Sequence, residues 1–195
     1  MRDVPTSAPT GTPSTPAAPR AARPPRTSSP APGREGRGTR LPDLGPRGEG
    51  WVAIQGLLFV VAALAGSLGP SWGAPWLLAG RVAGVALVGA GVIVGALGLA
   101  GLRENLTAVP RPVAGGHLVD GGVYGIVRHP IYAGIIVAAA GWGLATASLA
   151  ALGAALVLGL FFDLKSRREE AWLVAAYPGY AAYRRRVRKL VPLVY

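Results

Sequence analysis

The sequence predicts an all-α, multi-pass transmembrane helical bundle of about four spans, with a further helical region towards its C-terminus. Three observations predict it. Hydrophobic residues make up 51% of the 195-residue chain and charged residues only 15%, a balance unusual in a soluble domain of this size. The apolar residues gather into runs close to the ~20 residues that a bilayer crossing needs. The basic residues flank those runs: 8 of the 20 lie in residues 1–50 and 8 in residues 165–195. The net charge of +11 therefore follows the positive-inside rule, and nucleic acid is not an expected partner.

Residues 1–50 hold 11 of the 18 prolines and have no apolar period. Such a segment buries too little surface to offset its chain entropy, which predicts a disordered, Pro/Arg-rich cytoplasmic tail. It lacks the short apolar core and small-residue cleavage site of a signal peptide, so the run beginning at Trp51 is expected to act as an uncleaved insertion signal. The stretch from Pro19 to Pro32 could dock a proline-recognising partner, although a solvated tail is the plainer reading.

Residues 51–195 form the expected membrane domain, with spans at 51–68, 76–102, 130–146 and 148–164. Gly69-Pro70-Ser71 and Pro75 part the first two, and Trp72 and Trp76 suit interfacial depth. The run from Pro130 to Phe162 is too long for one crossing. Its interruption near Thr146-Ala147-Ser148 predicts a tight helical hairpin. Gly80-x-x-x-Gly84 and Gly91-x-x-x-Gly95 allow backbones to approach closely; packing inside the bundle is preferred to dimerisation, and the spacing specifies no oligomer.

The segment between the first two spans is uncharged, whereas the Arg103 to Arg128 loop and the C-terminal region are basic. Both termini are therefore expected in the cytoplasm, and the wealth of Ala, Arg and Gly points to a bacterial cytoplasmic membrane. On this topology the polar loop and the C-terminal region meet on one side.

With no cysteine, two histidines and few carboxylates, neither a thiolate nucleophile nor a metal centre is expected. Chemistry is expected instead in two polar clusters at the mouths of apolar helices, where desolvation makes polar residues costly. The first is Tyr124-x-x-x-Arg128-His129-Pro130-x-Tyr132-x-Gly134, preceded by Asp120-Gly121, which offers a turn for a small β-hairpin. Pro130 suits the first turn of a helix, so His129 and Arg128 would stand at the positive end of its dipole, a natural seat for a carboxylate or phosphate. The bland alternative, in which Arg128 snorkels to lipid and His129 merely caps the helix, weighs equally on these residues alone.

The second cluster, Lys165-Ser166-Arg167-Arg168-Glu169-Glu170-x-Trp172-Leu173, extends the fourth helix into the C-terminal cytoplasmic helices expected over 165–191. Adjacent glutamates point about 100° apart, so one can face a pocket while the other pairs with Arg167, Arg168 or solvent. Alone, this cluster reads more readily as a solvated helix end. Beyond Pro178-Gly179, Tyr180 to Val191 can form an amphipathic helix. Tyr180, Tyr183, Val187, Leu190 and Val191 would share a face opposite Arg184, Arg185, Arg186, Arg188 and Lys189, lying on anionic lipid or walling the site.

Gly122-x-Tyr124-x-x-x-Arg128-His129-Pro130-x-Tyr132-x-Gly134, followed by Glu169-Glu170-x-x-Leu173 and Tyr180-x-x-Tyr183, resembles the isoprenylcysteine carboxyl methyltransferase and phospholipid methyltransferase family over about residues 75 to 192. The resemblance implies an integral-membrane enzyme that transfers a methyl group from S-adenosylmethionine at the cytoplasmic interface, to an acceptor entering from the lipid. Tyr124, Arg128, His129, Pro130, Tyr132 and Gly134 would then build one side of the cofactor pocket, and Glu169 and Glu170 the other. Glu170 and Tyr183 are the candidates for assisting an acceptor that must lose a proton; a carboxylate acceptor would need no such help. Phospholipid amines, prenylated-protein carboxylates and small lipophilic molecules all suit a lipid-open site, and a small acceptor is preferred. Sterol reductases carry a similar Arg-His-Pro element with a nicotinamide cofactor, and a non-catalytic membrane scaffold is the third reading. The Glu169-Glu170 pair favours the methyltransferase.

Overall fold

The computed structural model describes residues 41–68, 72 and 75–195. The proline-rich stretch and the Gly69-Pro70-Ser71 break lie outside the described residues. Helix α1 spans Glu49–Leu68, α2 Trp76–Leu102, α3 Pro130–Ala145, α4 Leu149–Ala176 and α5 Tyr180–Arg186, with single 3-10 turns at Arg103–Asn105 and Gly122–Gly125. Among the described residues there is no strand, only an isolated parallel bridge between Val127 and Arg188. The chain is a multi-pass helical membrane bundle: α1, α2 and α4 are each long and apolar enough to cross a bilayer. The partner of α4 in the expected hairpin, α3, has 16 residues, about 24 Å of helix, and so falls short of the ~30 Å hydrocarbon core.

Helix α3 is held between α2 and α4, and α1 packs on α4. Glycines let α2 and α3 meet backbone to backbone. A Cβ on Gly84 would stand 2.6 Å from the Gly141 carbonyl, and one on Gly134 would stand 2.5 Å from that of Gly91. Gly84, Gly91 and Gly98 recur every seven residues, two turns of helix, so they lie on one face of α2. The α1–α4 contact is aromatic: the Trp51 and Phe161 rings meet tilted, with centroids 5.8 Å apart, beside Phe162, which is fully buried. Outward, Leu57, Leu64, Val85, Val92 and Leu156 are exposed as a lipid-facing surface requires.

The turn between α3 and α4 lies at the expected residues. Ala147 takes a positive φ of 53°, and Ser148 caps α4 by accepting from the Ala151 amide at 3.1 Å. The Ser148 hydroxyl also donates to the Ala65 carbonyl at 2.8 Å, which ties this turn to α1.

Four expectations are corrected. Of the segment expected to be disordered up to residue 50, residues 1–40 lie outside the described residues and residues 41–50 are held: Asp43 pairs with Arg168, and the Trp51 indole donates to the Pro42 carbonyl at 3.2 Å. The hairpin expected at Asp120-Gly121 is a 3-10 turn, entered through Gly122 at φ 59° and pinned where the Tyr124 hydroxyl donates to the Gly98 carbonyl at 3.2 Å. The helix expected from Tyr180 to Val191 ends at Arg186. Beyond it the Arg188 and Lys189 carbonyls accept from the amides of Arg128 and His129, at 2.8 and 3.1 Å. Those two amides precede α3 and lack helical partners, so they draw the following segment into extended backbone. Lys189, assigned to the exposed basic face, is instead buried against Asp163 at 2.6 Å.

Candidate active site

Helix α4 has 28 residues and is about 42 Å long, so one end outreaches the hydrocarbon core. Its charged end, the end of α2, the start of α3, the loop from Arg103 to Val119 and α5 line a half-open cavity of about 440 Å³. The loop is braced by reciprocal bonds: the Asn105 side chain donates to the His117 carbonyl at 3.0 Å, and the His117 amide donates back at 3.2 Å.

Pro130 opens α3, as its fixed φ and missing N–H favour, with His129 at the N-cap position. The His129 side chain makes no capping bond. Its Nε2 lies 3.1 Å from Glu170 Oε1, its Nδ1 lies 3.8 Å from Glu169 Oε2, and its ring stacks on Tyr132 at 5.4 Å. Arg128 turns away from lipid: its Nε donates to the same Glu170 oxygen at 2.8 Å, and its guanidinium also donates to the Arg184 and Val187 carbonyls.

The two glutamates divide as the 100° offset requires. Glu170, its side chain 6% exposed, sits among Arg128, His129 and Arg184 and does not line the cavity. Glu169, 22% exposed, does line it, and accepts from the Tyr132 hydroxyl at 2.8 Å. The partner of Glu170 is Arg128, from the first cluster, and not Arg167 or Arg168, which pair with Asp163 and Asp43.

Three tyrosines close the polar end. The Tyr183 hydroxyl donates to the Tyr124 carbonyl at 2.7 Å. Tyr180 is 3% exposed and lines the cavity, and its hydroxyl finds no hydrogen-bond partner among the described residues. Burial pushes the phenols of Tyr124, Tyr180 and Tyr183 well above the usual tyrosine range, so all three are neutral at physiological pH.

Of the residues singled out in the sequence, Tyr124, Arg128, His129, Pro130, Tyr132, Glu169 and Tyr183 line one cavity. Gly134 and Glu170 do not: Gly134 belongs to the α2–α3 contact and Glu170 to the ion cluster behind the wall. Gln55 and Asn105, which were not singled out, also line the cavity, as does Lys165, which stands in the second cluster but was given no role. A signal existed for two of them, since Gln55 is a lone polar residue in an apolar run and Lys165 a cation within a spanning helix.

Apolar helices around a half-open cavity with a carboxylate and an unpartnered hydroxyl characterise a helical membrane protein with a candidate small-molecule site. The model of the phospholipid methyltransferase family matches residues 79–179, and the chain belongs to that family, whose members are methyltransferases. Over 123 residues it is 32% identical to the cobalt-zinc-cadmium resistance protein CzcN of Cupriavidus metallidurans, covering 63% of this chain and 52% of that one. Over 83 residues it is 37% identical to the protein-S-isoprenylcysteine O-methyltransferase of Schizosaccharomyces pombe, covering 40% of this chain and 34% of that one. The matches thus span about half and a third of these relatives. No solved structure matches the chain.

Proposed function

We propose that this chain transfers a methyl group from S-adenosylmethionine to a lipophilic acceptor at the cytoplasmic face of a bacterial membrane, with both described ends of the bundle on that side. The observation that carries the reading is the unpartnered, buried Tyr180 hydroxyl on the wall of a cavity within the size range of ligand sites, about 300–1,000 Å³. A buried hydroxyl without a partner costs roughly 1–3 kcal/mol, which a polar ligand would recover.

The residues present suit the cofactor. Glu169 offers a carboxylate to an ammonium or to ribose hydroxyls, Tyr180 a hydroxyl, and the Arg128-His129 approach to α3 a positive helix end for a carboxylate. When bound, the cofactor supplies a methyl group activated by a sulfonium. The chain's part is to orient and to exclude water: the ion cluster around Glu170 fixes the start of α3 against α4, and the Arg103 to Val119 loop shields the cavity. In this reading Glu170 and Tyr183 are positioning residues, because their polar atoms already hold Arg128 and the Tyr124 carbonyl.

Calorimetric titration of the purified full chain with S-adenosylmethionine, and in parallel with NADPH, tests the reading. Micromolar binding of the first alone is expected. Binding of NADPH instead would point to a reductase, and binding of neither would overturn the enzymatic reading.

A further inference from the structure

Lys165 stands on the α4 wall of the cavity one turn before Glu169, and it is only 4% exposed. An ammonium has three donors and no acceptor. The Gln55 side-chain oxygen, reaching across from α1, takes one donor. The ring centroids of Tyr132 and Phe162 lie 5.2 and 5.9 Å from the ammonium and add cation–π attraction. Among the described residues no carboxylate lies within 4.0 Å of it, and the nearby Glu169 is engaged by the Tyr132 hydroxyl.

A buried cation without an ion partner is costly unless something completes its surroundings. Lys165 keeps two N–H donors after Gln55 is served, and the Gln55 amide nitrogen carries two more. This stretch of wall therefore offers positive charge and surplus donors. It is complementary to an anion and disfavours a second ammonium. Gln55 lies before the matched residues 79–179, so part of this wall comes from a helix outside the segment that defines the family.

We propose that Lys165 and Gln55 form the acceptor-selecting end of the cavity and hold the carboxylate of a lipophilic acid. The proposal rests on the methyl-transfer reading above. A carboxylate oxygen is already deprotonated at neutral pH. Its lone pair forms the new carbon–oxygen bond as the methyl carbon–sulfur bond breaks. The bonding pair stays on sulfur, the negative charge of the acid cancels the positive charge of the sulfonium, and no proton moves. Neither Tyr183 nor Glu170 is then needed as a base.

The test titrates full-length wild type, Lys165→Met, Lys165→Arg and Gln55→Leu in lipid nanodiscs with octanoate, N-octanoylglycine, octylamine and octanol, and separately with S-adenosylmethionine. One of the two acids is expected to bind wild type at least about tenfold more tightly than octylamine does, as charge-assisted bonds allow. Lys165→Met should lose about tenfold for that acid but not for octanol, and Lys165→Arg should recover most of the loss. The tighter of the two acids identifies the source of the carboxylate, free acid or peptide end. Should Lys165→Met fail to fold, Gln55→Leu carries the test with an expected loss of about threefold or more. Equal acid binding by wild type and variant, or a preference for octylamine, overturns the proposal. Wild type that binds the acid but not S-adenosylmethionine would leave the anion site standing and overturn the proposed function instead.

Discussion

Arg128 Nε lies 2.8 Å from Glu170 Oε1, and the two side chains, 10% and 6% exposed, come from segments 42 residues apart. The pair joins the approach to α3 to the charged end of α4. Its geometry settles which of two adjacent glutamates faces the cavity, because the carboxylate held by Arg128 is unavailable to a ligand.

Removing one member strands the other. Arg128→Ala is expected to destabilise the bundle by about 3–5 kcal/mol, since Glu170 would stay buried with only His129 and the half-exposed Arg184 near it. Arg128→Lys keeps the charge but not the forked donors that also serve the Arg184 and Val187 carbonyls, so it should fall between. Thermal unfolding in detergent reads the series, and Arg128→Ala/Glu170→Ala should recover part of the loss. Strictly additive single changes would mean that the pair is not coupled.

Tyr180 and Tyr183 share one face of α5 but should respond oppositely to loss of the hydroxyl. Tyr183→Phe breaks the bond to the Tyr124 carbonyl and is expected to lower the unfolding temperature. Tyr180→Phe breaks nothing within the protein, so stability should hold or rise. Its affinity for S-adenosylmethionine should fall about 5–15-fold, the worth of a hydrogen bond of ~1–1.5 kcal/mol. Unchanged affinity would place the hydroxyl outside the cofactor site.

The sequence made local features legible and left non-local ones hidden. Pro130 marks the start of α3 because its ring suits only the first turn, and the Thr146-Ala147-Ser148 break parts α3 from α4 because Ser148 can cap. That one of Glu169 and Glu170 faces inward follows from helix geometry alone. Which one does so depends on Arg128, whose place is set by tertiary contact. The amphipathic pattern from Tyr180 to Val191 is real, yet two amides before α3 claim the carbonyls of Arg188 and Lys189, and no periodicity within 180–191 could announce that. Lys165 carried a signal of its own, a cation on a spanning helix, but its neighbours are charged, so it reads as part of a solvated end.

Small changes along α2 should separate contact from propensity. A Cβ on Gly91 would stand 2.5 Å from the Gly134 carbonyl and 2.6 Å from the Ala138 amide, both backbone atoms that cannot give way. A Cβ on Gly89 meets nothing within 4 Å. Gly91→Ala is expected to cost about 1–3 kcal/mol by overpacking, whereas Gly89→Ala should be neutral or slightly stabilising. Unfolding temperatures of the two variants check this; equal effects would mean that α2 and α3 do not meet so closely.

Alkaline pH should probe the buried tyrosines without any ligand. Burial raises the phenols of Tyr124, Tyr180 and Tyr183 above the ordinary range, so in the folded chain they keep their protons where an unfolded tyrosine, ionising near pH ~10, loses its own. Above that pH the unfolded state binds fewer protons than the folded one, and stability must fall as pH rises. The contribution is complete below pH ~10 and is lost progressively towards the raised folded values. Unfolding temperature should therefore be insensitive to these groups from neutral pH to about 9 and drop beyond about 10. Tyr183→Phe should leave the early rise in tyrosinate absorbance untouched, because that phenol is silent while the fold holds, and should soften the alkaline drop. A smaller early rise in the variant would mean that Tyr183 ionises in the folded protein, and would return it to candidacy as a base.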